Sequence, residues 1–394
     1  MEDCFFINSE PKIRKFLRET FLDTEDYNLI EESEKIPKKR IVYTIAPEGG
    51  HSIRCATIIE ELQKDYDIMI ITGKSSYERL SKKFDNVYES STFNLVYENN
   101  EVNNFKTFTS SVKSLPDDLI TNYKVLNHKI IDFKPDIVIT DFEPYAHILK
   151  IILNKPLLAV DNLQVVTQCE YDYPKRYSND RLITTWIMRG YTLGQDKRII
   201  TTFFYPKVKN PENTVLYPPI LRKEIFECES TIGDHVLVYQ TSDSNNQLIE
   251  TLSQSNENFI VYGFNKEEVK NNMVFKKFNE DEFFNDLASA KAVLTNGGFT
   301  LIGESLYLKK PLYCQPIKGQ FEQILNGVYI EKLGYGELHD ELNIDLFNNF
   351  MSNLSVYSEN LKSYETADNN EAILKEIKCS IEELTANSKK RSLF

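Results

Sequence analysis

Glycine is scarce in this 394-residue chain, with 14 in all, against a norm near 7%. Where it does occur, a positive φ or a close backbone approach is the reason to look for. Cysteines are few and scattered. Cys4, Cys55, Cys169, Cys228, Cys314 and Cys379 form no C-x-x-C pair and no clustered ligand spacing, which excludes a sequence-local zinc motif and suits free thiols in a reducing compartment. Basic charge is in deficit too: 46 Lys and Arg against 59 Asp and Glu leave a net charge of −13, the reverse of the basic footprint of a nucleic-acid binder. No apolar run nears the roughly 18–20 residues that span a bilayer, and Met1 to Lys15 lacks the basic-then-apolar order of a secretion signal. The expectation is a cytoplasmic protein.

What is present is an ordinary globular mixture, 41% apolar and 27% charged, long enough for two domains. Short apolar runs at Arg40–Ala46, Tyr66–Thr72, Asp136–Thr140 and Pro156–Val160 predict buried strands. Ile53, Ala56, Ile59 and Leu62 between the first two have helical spacing, so the unit is strand–loop–helix–strand and wants a parallel sheet covered on both faces. The pattern restarts at His235–Gln240, Phe259–Gly263, Ala292–Thr295 and Pro311–Gln315. The fold class expected is α/β, with two doubly wound Rossmann-like domains facing a central cleft. Residues 1–38 form an extension of unassigned role with a short helical pattern (Ile13, Phe16, Leu17, Phe21). Residues 39–210 make the first domain, 211–230 a proline-bearing connector, 231–340 the second domain, and 341–394 helices that pack back on the first.

In such sheets ligands bind at the loops that follow strands. Seven of the glycines (Gly297, Gly298, Gly303, Gly319, Gly327, Gly334, Gly336) fall within forty residues of the second half. Thr295-Asn-Gly-Gly-Phe-Thr-Leu-Ile-Gly-Glu304 follows a strand and opens a helix. Its N–H groups and dipole suit a phosphate at Gly297, Gly298 and Phe299. Thr300 suits either a helix cap or a phosphate oxygen. Glu304 suits a pair of adjacent hydroxyls, unless it is only a favourable charge near the helix start. Gln320, Gln323 and Asn326 recur every three residues, as sugar-binding amides or as a plain solvated face. At the first strand–helix junction, Gly49 and Gly50 precede His51, and an imidazole there suits a general base or a simple cap. Asp141 and Glu143 follow one strand and are second-choice bases, with capping as the default for Asp141; Asp161 and Asn162 follow another. Cys169 to Lys209 carries eight Lys or Arg against four acids, with aromatics interleaved, which fits either a peripheral membrane contact or an ordinary surface.

The segment NGGFTLIGESLYLKKPLYCQPIKGQFEQILNG at 296–327, with EGGHSIRC at 48–55, FKPDIVITDFEPYA at 133–146, PLLAVDNLQ at 156–164 and LYPPILR at 216–222, resembles glycosyltransferases of the GT-B fold, in the family 28-like (MurG-type) group. The resemblance covers roughly residues 40–340. It implies inverting transfer from a UDP-sugar, UDP-GlcNAc among them, to a hydroxyl of a glycan or lipid-linked glycan precursor, with no catalytic metal or other cofactor. By position it implies that Gly297, Gly298 and Thr300 hold the diphosphate, Glu304 the ribose, and Gln320 with Glu322 and Gln323 the sugar. Phe278 and Asn279 match the loop whose backbone reads the base, and Asp161 and Asn162, with Gly49 and Gly50, form the acceptor-side loops. The spacing from Thr300 to Glu304 is one residue longer than the common one, and the first glycine loop is shorter than the group's. A nucleotide-sugar 2-epimerase and a non-catalytic sugar-nucleotide binder share this fold and stay open as alternatives; a dinucleotide oxidoreductase lacks its fingerprint.

Overall fold

Alternating β-branched runs and short helices build the observed architecture. The computed structural model describes residues 38–47, 49–91, 97–98, 101–102, 122, 126–240, 246–365 and 369–392; the helical pattern expected between residues 13 and 21 lies outside them. In the first half, β1 (Arg40–Ile45), α1 (Gly49–Leu62), β2 (Asp67–Thr72), α2 (Lys74–Leu80) and β3 (Val87–Glu89) are followed by β4 (Ile137–Asp141), α3 (Tyr145–Leu153) and β5 (Leu157–Asp161). Helix α4 (Ser178–Tyr191), β6 (Lys197–Thr201) and β7 (Thr214–Tyr217) complete it. The seven strands form one parallel sheet in the order β7-β6-β5-β4-β1-β2-β3. Strand order reverses between β1 and β4, where Ile45 pairs with Asp141. Ligands bind at such a switch point.

The second half repeats the plan. Strands β8 (His235–Tyr239), β9 (Asn258–Tyr262), β10 (Glu268–Lys270) and β11 (Met273–Phe275) precede α5 (Glu280–Ser289), β12 (Ala292–Thr295) and α6 (Phe299–Tyr307). Then come β13 (Leu312–Cys314), α7 (Phe321–Lys332) and β14 (Gly336–Leu338), in a sheet ordered β10-β11-β9-β8-β12-β13-β14. All its pairs are parallel except β10 with β11. Here the reversal falls between β8 and β12, directly below the Gly297-Gly298 turn.

The connector is shorter than the proline count suggested. Residues Thr214–Tyr217 add an edge strand to the first sheet, because Thr-Val-Leu-Tyr keeps every N–H available for the ladder while Pro218-Pro219 cannot. The C-terminal helices also divide. Helices α8 (Ile344–Ser352) and α9 (Leu354–Leu361) sit on the second sheet, with Phe347 and Phe350 buried against Phe259 and Tyr313. Only α10 (Glu371–Ser392) crosses to the first, where Ile373, Ile377 and Ile381, one helical turn apart, join Ile41, Ile137, Ile139 and Ile199. Contact in the other direction comes from Phe203, Phe204 and Val166, which share a core with Phe299, Ile302 and Phe321; Phe204 stacks on Tyr329 with ring centroids 3.8 Å apart. Among the described residues no helix is long and apolar enough to cross a membrane.

Candidate active site

Three residues of α1 share one face: His51, Arg54 and Cys55, spaced i, i+3 and i+4. That face meets Asp141 at the end of β4, whose carboxylate is fully buried. His51 Nδ1 lies 2.7 Å from Asp141 Oδ1. Arg54 donates from Nε to Oδ2 at 2.6 Å and from Nη2 to Oδ1 at 2.5 Å, and the Cys55 thiol donates to Oδ2 at 3.0 Å. The same Nδ1 lies 2.7 Å from Arg54 Nη2, so this nitrogen faces a carboxylate, which only accepts, and a guanidinium, which only donates. Burial opposes ionisation of Asp141, but Arg54 and His51 outweigh it and hold the carboxyl well below the usual carboxylate range. Of the two readings of Asp141, a cap by default or a second-choice base, the structure shows neither: both oxygens are occupied by side chains of α1 and its affinity for a proton is low. Asp141 fixes the orientation of the His51 ring instead.

Glu143 is likewise displaced from the base role. Its side chain is 2% exposed, accepts from the N–H groups of Tyr145 and Ala146 at the start of α3, and leaves Oε2 without a partner. Burial pushes its carboxyl up to about 8 despite those N–H groups. Asp161 is consumed locally, accepting from the backbone N–H of Gln164 at 2.9 Å and from its amide at 2.6 Å. Asn162 reaches outward: its Oδ1 accepts from Arg54 and its Nδ2 donates to Glu322 Oε1 at 3.0 Å, on the other domain.

Facing this cluster is the glycine turn of the second half. Gly297 has φ +86°, and a Cβ there would lie 3.0 Å from the carbonyl oxygen of Gln323. Gly298 has an ordinary φ of −65° and open space where a Cβ would project. The first is glycine for backbone reasons; the second leaves room at the first turn of α6. Thr300 does not cap that helix: its hydroxyl points across the cleft to Gly50 O at 3.5 Å, so the N-termini of α1 and α6 abut. Two helix starts converging on one point concentrate partial positive charge there.

The remaining expected donor residues divide between cleft and scaffold. Phe299 is buried beside Phe203, so only its backbone is available to a ligand. Glu304 is a correction. It is 1% exposed, and Arg222 clamps both its oxygens, Nε to Oε1 at 2.7 Å and Nη2 to Oε2 at 2.8 Å. The carboxylate expected on ribose hydroxyls instead ties the end of the connector to α6. Gln323 Oε1 accepts from the Ile317 N–H at 2.9 Å, which shapes the preceding loop. Gln320 stands at the N-terminus of α7, and Glu322 accepts from Asn326 Nδ2 at 2.7 Å. Asn326 also donates to Gly297 O at 3.0 Å, so this amide braces the glycine turn and is not part of a solvated stripe. Phe278 is 42% exposed and packs at a tilt against Phe283, while the Asn279 side chain caps α5 by accepting from Glu282 N–H.

Arg54 and Arg222, which hold the two buried acids Asp141 and Glu304, are the residues that sequence reasoning passed over. Arg54 had a visible signal, one helical turn after His51. Arg222 had none, since its partner lies 82 residues away.

A model of the glycosyl transferase family 1 matches residues 39–355. Among curated proteins, UDP-N-acetylglucosamine--N-acetylmuramyl-(pentapeptide) pyrophosphoryl-undecaprenol N-acetylglucosamine transferase 3 of Bacillus cereus is 32% identical over 94 residues, 22% of this chain and 27% of that one. The corresponding transferase 1 of Bacillus thuringiensis is 26% identical over 191 residues, 41% of this chain and 54% of the other. The matched region thus spans about a quarter to a half of these curated relatives. Among solved structures, a UDP-glucosyltransferase from Polygonum tinctorium superposes with a TM-score of 0.62 at 13% identity, over 89% of this chain and 100% of that chain, a likeness of fold.

Two stability outcomes follow from this geometry. Because the folded carboxyl of Glu143 holds its proton up to about 8 while the unfolded one releases it near 4.5, stability is retained at pH 4.5 and below and falls as pH climbs through that window. Glu143→Gln removes the effect. In urea melts it should match the wild type near pH 4 and exceed it by on the order of 2–4 kcal/mol at pH 8. Gly297→Ala should cost about 1–3 kcal/mol through its positive φ, whereas Gly298→Ala should stay within about 0.5 kcal/mol of the wild type; thermal melts of the two side by side read the difference.

Proposed function

The chain belongs to the glycosyl transferase family 1, and on that premise we propose that it moves a sugar from a UDP-sugar, UDP-GlcNAc by preference, to a hydroxyl of a glycan or lipid-linked glycan precursor. The observation that carries this reading is the buried His51–Asp141 pair lying opposite the first turn of α6, with Gly50 and Thr300 in contact between them. The choice of UDP-GlcNAc draws on the two Bacillus relatives, which are named for it.

In the proposed displacement, His51 Nε2 takes the proton of the acceptor hydroxyl as its oxygen bonds the anomeric carbon from the face opposite the leaving group. The bond from that carbon to the phosphate oxygen breaks, and its electron pair leaves with the nucleoside diphosphate. The N–H groups at Gly298, Phe299 and Thr300 receive the new charge, preorganised by the helix start. Asp141, held by Arg54, stabilises the imidazolium that forms. Phe278 and the backbone at Asn279 take the base, and Gln320, Glu322 and Gln323 the sugar. Burial between two domains keeps water from the donor.

A lipid-linked acceptor is supported by α4. Its Leu182, Ile183 and Trp186 are 54%, 38% and 56% exposed, beside Arg181 and Arg189, with Arg189 over the Trp186 ring. Apolar side chains flanked by guanidinium groups suit an anionic bilayer surface.

Turnover of UDP-GlcNAc with a polyprenyl-diphosphate glycan acceptor tests the main reading. His51→Ala should lower kcat by about 10²–10⁴-fold, as loss of a general base does, and Asp141→Asn should follow it. Gly298→Ala should weaken UDP-sugar binding in calorimetry while leaving UDP-free stability alone. Accumulation of the 2-epimer from UDP-GlcNAc alone, or no heat with any UDP-sugar, would overturn the assignment. For the membrane contact, co-flotation with vesicles containing anionic phospholipid should be lost in Leu182→Glu/Trp186→Glu; a wild type that does not float rejects it.

A further inference from the structure

An unbroken line of hydrogen bonds runs between the two domains. It starts at His51 and Asp141, passes through Arg54 to Asn162 Oδ1, and leaves Asn162 by Nδ2 for Glu322 Oε1 at 3.0 Å. Glu322 also accepts from Asn326 Nδ2 at 2.7 Å, and Asn326 donates to the carbonyl of Gly297 at 3.0 Å. Asn162 and Asn326 are 4% and 2% exposed, so water competes little for these bonds.

The amide of Asn162 is held in one sense by its neighbours. Arg54 can only donate and a carboxylate only accepts, so Oδ1 must face Arg54 and Nδ2 must face Glu322. The amide presents its acceptor and its donor from two separate atoms, one towards each domain. Burial raises the Glu322 carboxyl, while the amides of Asn326 and Asn162 and the charge of Arg54 act the other way.

We propose that Asn162 is a positioning residue that couples the start of α7 to the His51–Asp141 pair, so that the base is held in line only while Glu322 occupies its place in the cleft. This deepens the proposed donor site, whose sugar contacts lie at the start of α7. A sugar that engages Glu322 thereby sets the base on the opposite domain, and its geometry decides the rate, since a misplacement near 1 Å can cost about a hundredfold.

The test is a polarity swap. Asn162→Asp keeps the Arg54 contact but sets two carboxylates face to face; Glu322→Gln added to it restores the bond, the new amide at 322 donating to the new carboxylate at 162. Two readouts are taken on all four proteins. With UDP-GlcNAc and acceptor, Asn162→Asp should lower kcat by about 10–100-fold with donor KM changed far less, and the double variant should recover at least about tenfold over that single variant. Without any substrate, the ring signal of His51, one of only five histidines, is followed by carbon-13 NMR and identified by its loss in His51→Gln. Asn162→Asp should displace it, Glu322→Gln should displace it from the opposite domain, and the swap should return it towards the wild-type position. A His51 signal indifferent to Glu322→Gln, or effects of the two changes that simply add, overturns the coupling. A wild type inactive towards every nucleotide sugar defeats the proposed function instead, while the ring signal still decides on Asn162.

Discussion

A carboxylate sealed inside protein is tolerated only when paired and hydrogen-bonded, and Asp141 sits with no exposure at the end of a central strand. Much of the first half is arranged around that requirement. Its four acceptor sites are met by the imidazole, guanidinium and thiol of a single helical face. Such a face exists only if the helix begins at once after β1, which places Gly49 and Gly50 in its first turn and carries that turn up to Thr300 of the other domain. The Arg54 fork that neutralises Asp141 also continues to Asn162, so the same demand that buries an acid extends the network to the cleft rim.

The second half holds an acid the same way for a different end. Glu304 and Arg222 pair in two parallel bonds while the guanidinium lies 4.2 Å over the ring of Phe284. Arg222 also approaches Glu280 at 3.5 Å, and Glu280 in turn approaches Arg79 of the first domain at 3.8 Å. One buried pair fixes the His51 ring; the other pins the connector against the helix that opens at the Gly297-Gly298 turn. Removing either partner alone would leave an uncompensated charge, which is why both pairs constrain the domains and not merely their own helices.

Much of this was legible in the chain. The strand ladder of both halves, the helix at Ile53 to Leu62 and the paired glycines could be read because each is a local periodicity or a local backbone demand. Short strands such as Val87–Glu89 and Met273–Phe275 were not, since three residues carry no period. Thr214–Tyr217 was hidden among prolines. Helices α8 and α9 read as part of one terminal unit because their polar composition said nothing about which sheet Phe347 and Phe350 would fill.

The chain by itself determined the two α/β halves, the family likeness and the loops where chemistry gathers, because hydrophobic period and glycine placement are properties of neighbours in sequence. Which carboxylate serves which purpose was decided only by the tertiary structure. Asp141 became the partner of Arg54 and His51, Glu143 a buried cap and Glu304 a clamp for Arg222, according to which cations, N–H groups and solvent each met. Those partners come from up to 87 and 82 residues away for the two acid–arginine pairs. Charge state depends on three-dimensional proximity and burial, and neither is written in local spacing.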